Sequence, residues 1–128
     1  MTRLIVDSYA WVEYLDGSFK GERVEALLEE ATDTYTPTPV VAEVTSKTIR
    51  SGKDPAVAFQ VLRSWSILLP LDVETARAAG GLHATYRKRV PDFAMTDAIV
   101  LAVARKLEAR VVTGDPHFRG MRGVEFLA

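Results

Sequence analysis

Short, uninterrupted apolar runs that alternate with longer helical patterns constrain the fold of this chain most. The clearest run is Leu4–Val6, and Ile67–Leu69 and Val111–Thr113 have similar length and character. Runs without polar alternation are typical of strands that are buried on both faces. Thr34–Thr36 and Val124–Phe126 are predicted as two further strands from their β-branched and aromatic residues and their place between helices.

Stretches with helical periodicity separate these runs: Tyr9–Leu15, Glu22–Glu30, Val40–Arg50, Pro55–Trp65, Val73–Arg87 and Ala94–Leu107. Alternating strands and helices predict an α/β fold with right-handed βαβ units and a mostly parallel sheet that helices cover on both faces. The chain has 128 residues and no Pro- or Ser-rich linker, so a single domain over residues 1–128 is predicted. Ligands bind beyond the carboxyl ends of the strands in such sheets, and a functional site is expected there.

The composition excludes several kinds of site. The chain has no cysteine, and its two histidines, His83 and His117, lack the spacing of a zinc site, so a metal would need oxygen ligands. The net charge of -1 gives no overall attraction to nucleic acid or membrane. The first apolar run is too short for a signal peptide, and no stretch approaches the roughly 20 apolar residues of a membrane helix. We therefore expect a cytoplasmic protein with no membrane partner.

Four carboxylates fall where the predicted sheet would bring them to one edge. Asp7 and Asp115 follow predicted strands, while Glu43 and Asp97 lie in the first turns of predicted helices. Like charges that close together raise one another's pKa or recruit cations. A ligand set made of carboxylate oxygens, in a chain with no cysteine and no paired histidines, indicates Mg²⁺ or Mn²⁺. Such ions suit phosphodiester hydrolysis, because they lower the pKa of a bound water and neutralise developing charge.

Three of these acids also have ordinary structural explanations. Asp7 is as well placed for a helix N-cap as for catalysis. Asp115 precedes a proline, so an N-cap explains it better when it is taken alone. Glu43, taken alone, is best explained by a surface ion pair with Lys47, which contributes about 0.3 to 0.5 kcal/mol. Their expected convergence at one edge is what favours a shared site.

Asp97 is harder to explain by structure alone. It lies on an inward-facing apolar stripe, where a carboxylate is costly unless it is paired, hydrogen-bonded or bound to a cation. The alternative is that it complements the dipole at the start of its helix. Asp92 precedes it in the Pro91-Asp92-Phe93 turn and is predicted to be the helix N-cap in preference to a further metal contact.

Four segments carry a resemblance to a known family: Ile5–Ser8 (IVDS), Pro39–Glu43 (PVVAE), Thr96–Ile99 (TDAI) and Val112–Phe118 (VTGDPHF). In this order, and in a chain of this length, they resemble the PIN-domain ribonucleases, particularly the VapC-type toxins of type II toxin–antitoxin pairs. The resemblance spans nearly the whole chain. It implies a three-layer α/β/α sandwich with a central, mostly parallel five-stranded sheet of strand order 3-2-1-4-5.

For the site, the resemblance implies an endoribonuclease in which a metal-activated water attacks a phosphodiester, leaving a 5′-phosphate and a 3′-hydroxyl. The Mg²⁺ or Mn²⁺ would be held by four matching acids: Asp7, Glu43, Asp97 and Asp115. Ser8 and Thr113 occupy positions where the family often has hydroxyls that orient the acids or a water. The implied partners are an RNA substrate, a second copy of the chain in a homodimer, and a small antitoxin whose tail lies across the groove.

Two basic clusters flank the proposed acids in sequence: Lys47, Arg50 and Lys53, and the run Arg87–Arg89. Either cluster could position RNA phosphates without reading the base sequence. A run such as Arg87–Arg89 is more often a solvated helix end, which is the favoured interpretation. Tyr86 could stack on a base or pack in the core.

Three other functions are compatible with an acidic edge. A catalytically silent PIN-like RNA-binding module is the first, although the presence of all four acids argues against it. A phosphoacceptor receiver domain would need paired acids after the first strand and a lysine after the last, and neither is present. A phosphatase of the haloacid dehalogenase type would need a second Asp where Tyr9 stands.

Overall fold

The sheet of this protein is entirely parallel. In the computed structural model, which describes residues 2–128, five strands lie in the order β3-β2-β1-β4-β5, and each neighbouring pair is parallel. The strands are β1 (Arg3–Val6), β2 (Asp33–Pro37), β3 (Ile67–Leu69), β4 (Arg110–Thr113) and β5 (Val124–Phe126). The predicted sheet and its strand order are confirmed. Met1, the first residue of the predicted domain, lies outside the described residues.

Residues 2–128 also contain six α-helices, each corresponding to a predicted one. They are α1 (Ser8–Asp16), α2 (Phe19–Glu30), α3 (Thr38–Arg50), α4 (Pro55–Trp65), α5 (Val73–Tyr86) and α6 (Met95–Leu107). Right-handed crossovers place α1 to α4 on one face of the sheet and α5 with α6 on the other. The predicted three-layer α/β/α sandwich is confirmed. A short 3₁₀ helix, Pro116–Phe118, follows β4 and was not predicted.

Helix α2 begins three residues before its predicted start. Ser18 caps it, since the Ser18 Oγ accepts a hydrogen bond of 3.0 Å from the backbone N–H of Gly21. Gly21 is buried against α1, where a Cβ would lie 2.2 Å from the carbonyl oxygen of Glu13. Only glycine allows the two helices to approach this closely, and the approach brings Lys20 toward the start of α1.

The carboxyl ends of β1 and β4 leave the core side by side. Val6 and Val112 are register partners, and the Asp7 N–H donates a hydrogen bond of 3.3 Å to the carbonyl of Val112. Both valines are fully buried, and burying such a side chain stabilises the fold by about 1.5 to 3 kcal/mol. The strand ends therefore rest on a rigid core, and the residues after them are held in fixed positions.

Helix α6 is directed to the same edge by aromatic packing. Phe93, just before α6, is buried and lies 5.8 Å from the Phe118 ring and 5.3 Å from the Tyr86 ring, centroid to centroid. This packing ties the start of α6 to the 3₁₀ helix after β4. None of the helices in residues 2–128 combines the length and the apolar character that crossing a membrane requires.

Candidate metal centre

Asp7 is both a helix cap and a buried acid. Its Oδ1 accepts a hydrogen bond of 3.0 Å from the Ala10 N–H, which caps α1. The residue is 6% exposed, and burial raises the pKa of its carboxyl from 3.8 to about 7. The Thr113 hydroxyl and the Ala10 N–H oppose this rise, while the charges of Asp115 and Asp97 add to it. The same carboxyl thus caps α1 and carries a raised pKa.

Asp97 lies in the first turn of α6 with its carboxylate turned back toward the helix start. Its Oδ2 accepts a hydrogen bond of 2.8 Å from the Ala94 N–H and lies 2.9 Å from His117 Nδ1. Burial raises the pKa of Asp97, and the Asp115 charge adds to this, while the Ala94 N–H and His117 oppose it. A carboxylate with a raised pKa in this position would gain from a bound cation.

The prediction that Asp92 caps α6 is wrong. Ala94 occupies the N-cap position, and Asp97 supplies the carboxylate that accepts the cap N–H. Asp92 is exposed in the preceding turn. The reason is the burial of Phe93 between Tyr86 and the 3₁₀ helix, since anchoring this residue keeps the chain out of helical conformation until Met95.

Asp115 stands just beyond β4, beside Asp97. Its Oδ1 accepts a hydrogen bond of 2.9 Å from the His117 N–H, so it caps the 3₁₀ helix as the cap explanation predicts. Its own N–H donates a hydrogen bond of 3.0 Å to Thr113 Oγ1, a fully buried hydroxyl. Thr113 therefore orients the backbone of Asp115 and also lies beside the carboxyl of Asp7.

His117 completes a group of three side chains that could hold a metal ion. Its Nδ1 lies 2.9 Å from Asp97 Oδ2 and 3.3 Å from Asp115 Oδ1. One ligand atom from each of the three residues lies within 4.8 Å of the other two. The sequence does not mark this imidazole as a ligand, because the two histidines lack the spacing of a metal site. The available signal is the Asp115-Pro116 step, where a cap and a helical proline fold the next residue back toward the cap.

Glu43 is not in this group of three. It lies in α3 and is partly buried, and no ion pair joins it to Lys47 within residues 2–128. The surface ion pair that best explains Glu43 when it is taken alone therefore does not form within these residues, and the Lys47 ammonium donates instead to Ser8 Oγ at 3.3 Å. Ser8 accepts this hydrogen bond and keeps its own O–H as a donor, and its role in orienting an acid or a water stays a prediction. That Glu43 ligates the metal stays a prediction.

The basic clusters differ in how they are held. Lys53 forms an ion pair of 2.6 Å with Asp16. Arg87–Arg89 is exposed, and the Arg89 guanidinium lies 5.3 Å from the centroid of the Tyr86 ring. Tyr86 also stacks on Phe93, so its ring packs within the fold.

The donor set fits a small divalent cation. Two carboxylates and an imidazole converge. The buried carboxyl of Asp7 is close enough that the charges of the two carboxylates raise its pKa. Carboxylate oxygens suit Mg²⁺ and Mn²⁺, and an imidazole nitrogen is a common ligand of divalent transition metals. The arrangement can concentrate negative charge at the carboxyl ends of β1 and β4 and hold a cation there.

The chain belongs to the PIN-domain family, whose model matches residues 4–124. Its fold is similar to the toxin–antitoxin complex from Klebsiella pneumoniae, with 17% identity, coverage of 98% of each chain and a TM-score of 0.78. It is also similar to VapC20 of Mycobacterium tuberculosis, a toxin that cleaves the sarcin–ricin loop, with 17% identity, coverage of 98% and 99% of the two chains and a TM-score of 0.80.

A third similar structure is VapBC2 from Rickettsia felis bound to a fragment of promoter DNA, with 14% identity, coverage of 99% and 100% of the two chains and a TM-score of 0.77. No curated protein matches the chain in sequence. At these identities the likeness to solved structures concerns the fold.

The strand order excludes one of the alternative functions. A receiver domain arranges its strands 2-1-3-4-5, and this sheet does not.

Proposed function

We propose that this protein is a metal-dependent endoribonuclease and the toxin of a type II toxin–antitoxin pair. One observation carries the proposal: Asp7, Asp97 and Asp115 converge at the carboxyl ends of two buried parallel strands, where burial raises the pKa of Asp7 to about 7. Capping alone does not account for this electrostatic penalty, since an exposed Asp caps a helix equally well. Membership of the PIN-domain family supports the same function.

Mg²⁺ or Mn²⁺ would be held by Asp7, Asp97 and Asp115, with Glu43 as a fourth acid and His117 as a nitrogen donor. When bound, such a cation lowers the pKa of a water and neutralises charge on a phosphodiester. The chain contributes the fixed geometry. Thr113 holds Asp115 in place, the Ala94 N–H holds Asp97, and the packed strand ends limit the movement of Asp7.

The proposed partners follow from the similar structures. One is a toxin–antitoxin complex, and another is a VapBC assembly on promoter DNA. We propose that this chain, as one domain, likewise binds an antitoxin. The resemblance to the PIN-domain ribonucleases extends the proposal to a homodimer that acts on RNA in the cytoplasm. A catalytically silent PIN module is the alternative, and it becomes the conclusion if the intact site binds metal but cleaves no RNA.

The test is cleavage of a pool of structured RNAs by the purified, partner-free protein in Mg²⁺ or Mn²⁺. EDTA and an Asp97→Asn variant with a native circular dichroism spectrum should each abolish cleavage. Asp92→Asn is the matched control, because it makes the same chemical change at an exposed acid five residues away and should cleave normally. Cleavage that persists in EDTA or in Asp97→Asn would refute the assigned site.

A further inference from the structure

Two lysines from different helices reach consecutive side chains directly after Asp7. Lys47, from α3, donates a hydrogen bond of 3.3 Å to Ser8 Oγ. Lys20, from α2, donates one of 2.8 Å to the Tyr9 hydroxyl and lies 5.3 Å from the centroid of the Tyr9 ring. Both lysines are partly buried. Each ammonium therefore has a neutral hydroxyl as its hydrogen-bond partner beside an acidic site.

Two other lysines of the chain are paired differently. Lys106 pairs with Asp72, and Lys53 pairs with Asp16 at 2.6 Å. Within residues 2–128, neither Lys20 nor Lys47 forms an ion pair with a carboxylate. A partly buried ammonium loses hydration, and a neutral hydroxyl replaces it less well than an anion does. The two ammonium groups are thus in position to bind an anion.

Close packing holds Tyr9, the hydrogen-bond partner of Lys20, beside the backbone of Asp115. A Cβ on Gly114 would lie 2.3 Å from Cε1 of Tyr9, so the tyrosine ring rests directly on the backbone that precedes Asp115. The absence of a side chain at Gly114 makes this contact possible. Tyr9 thereby fixes the Lys20 ammonium on the β4 side of the acid site.

The two lysines approach the site from different directions. Ser8 and Tyr9 are the first two residues of α1, and consecutive residues of a helix project about 100° apart. Lys47 therefore reaches the start of α1 from α3, and Lys20 reaches it from α2.

We propose that Lys20 and Lys47 bind phosphates of the RNA backbone on the two sides of the acid site and so position the strand for cleavage. This inference rests on the proposed ribonuclease function. A phosphate oxygen forms a charge-assisted hydrogen bond with an ammonium, which is stronger than the bond to a neutral hydroxyl. Ser8 and Tyr9 hold the two ammonium groups in place before RNA arrives, which reduces the entropy lost on binding.

Kinetics of Lys20→Met and Lys47→Met test the proposal. Loss of one charged hydrogen bond to phosphate is expected to raise KM for RNA about tenfold, with little change in kcat. Arginine keeps the charge and the donors, so Lys20→Arg and Lys47→Arg should recover most of the loss. Lys106→Met is the matched control, because its partner Asp72 lies in a different part of the fold, and it should leave KM unchanged.

The salt dependence of RNA binding provides an independent measurement. Fluorescence anisotropy of a single-stranded RNA oligonucleotide, with Asp97→Asn as the background to prevent cleavage, gives the slope of log affinity against log salt concentration. Each phosphate contact contributes roughly 0.7 to this slope on single strands, so removing both lysines should lower its magnitude by roughly 1.4. A lysine with a merely structural role would weaken folding without changing this slope.

The outcomes separate the two proposals. If the wild type cleaves RNA and the double methionine variant matches Lys106→Met in both KM and salt slope, the lysine pair does not bind RNA and only this inference fails. A fall in kcat with unchanged salt slope would also overturn this inference alone, since it indicates a structural role. If the wild type neither cleaves nor binds RNA in either cation, the proposed function fails together with this inference.

Discussion

The starts of α1 and α5 use the same local motif and produce opposite chemistry. Asp7 caps α1 by accepting the Ala10 N–H at 3.0 Å, and Asp72 caps α5 by accepting the Thr75 N–H at 2.8 Å. Burial raises the pKa of Asp7 to about 7, whereas hydrogen bonds from Lys106 and Thr75 lower the pKa of Asp72 to about 2. The surroundings of an N-cap aspartate therefore decide whether its carboxyl can take part in chemistry near neutral pH.

The largest difference between the two caps should be in catalysis. Asp7→Asn keeps a side chain that caps helices well and removes the charge. We expect it to lower the rate of RNA cleavage at least 100-fold, roughly the scale found when a charged group that acts on the transition state is removed. Asp72→Asn should stay within about twofold of the wild type. Single-turnover cleavage assays measure both rates. An equal loss of cleavage rate in the two variants would show that Asp7 and Asp72 do not differ in function.

The second difference concerns stability against pH in metal-free protein. The carboxyl of Asp7 has an ordinary pKa of 3.8 when water surrounds it and a pKa of about 7 in the fold. The unfolded chain therefore releases this proton first, and stability should fall as pH rises from about 4 to above 7. Asp7→Asn should be more stable than the wild type above pH 7, by on the order of 2 to 4 kcal/mol, and equally stable near pH 4. Urea unfolding in EDTA at several pH values measures this, and an advantage that persists at pH 4 would contradict it.

Metal binding should offset the loss of stability that the buried Asp7 carboxylate causes at neutral pH, and it should not affect Asp72 at the start of α5. Mn²⁺ at about 100 times its Kd should stabilise the wild type by about 2.7 kcal/mol, and EDTA should cancel the effect.

His117→Ala should weaken Mn²⁺ binding roughly 10- to 100-fold, as expected when a side chain that binds the metal or orients a ligand is lost. Electron paramagnetic resonance titration of free Mn²⁺ measures this. His83→Ala, the control, should bind as the wild type does, and equal affinity in both variants would remove His117 from the site.

The smallest expected effect belongs to Asp72. Its pKa is lower in the fold than in the unfolded chain, so its contribution to stability is present above pH 3.8 and is lost as pH falls through about 2. Asp72→Asn should therefore be slightly less stable than the wild type at pH 7, and the difference should disappear as pH falls below about 2. High salt should reduce the difference at pH 7, because the carboxylate and Lys106 are both exposed to solvent. Thermal unfolding at low and high salt checks both statements.

Much of the fold could be predicted because its signals are local. Helix α4 and strand β3 have the predicted bounds. Asp54 caps the helix by accepting the Ala56 N–H, Pro55 is its first residue, and a short apolar run follows the helix. The start of α2 was predicted three residues late. Ser18 is a local cap there, but Gly21 in the first turn interrupts the helical pattern, and its packing against the backbone of α1 depends on the tertiary structure.

The candidate site was only partly predictable for the same reason. The position of Asp7 and Asp115 after strands follows from the apolar runs that precede them. The pairing of Lys47 with Ser8, and not with Glu43, depends on how α3 lies beside α1. The start of α6 at Met95 depends on the burial of Phe93, which made Asp92 a wrong choice of cap.

The sequence by itself determined the order of strands and helices and which acids follow strands, because apolar runs and caps act within a few residues of the backbone. Only the tertiary structure decided the chemical state of these groups. The pKa values of Asp7 and Asp72 and the place of His117 between two carboxylates depend on solvent exclusion and on charges brought together from distant parts of the chain. Electrostatic interactions act through space, and they are set only when the chain has folded.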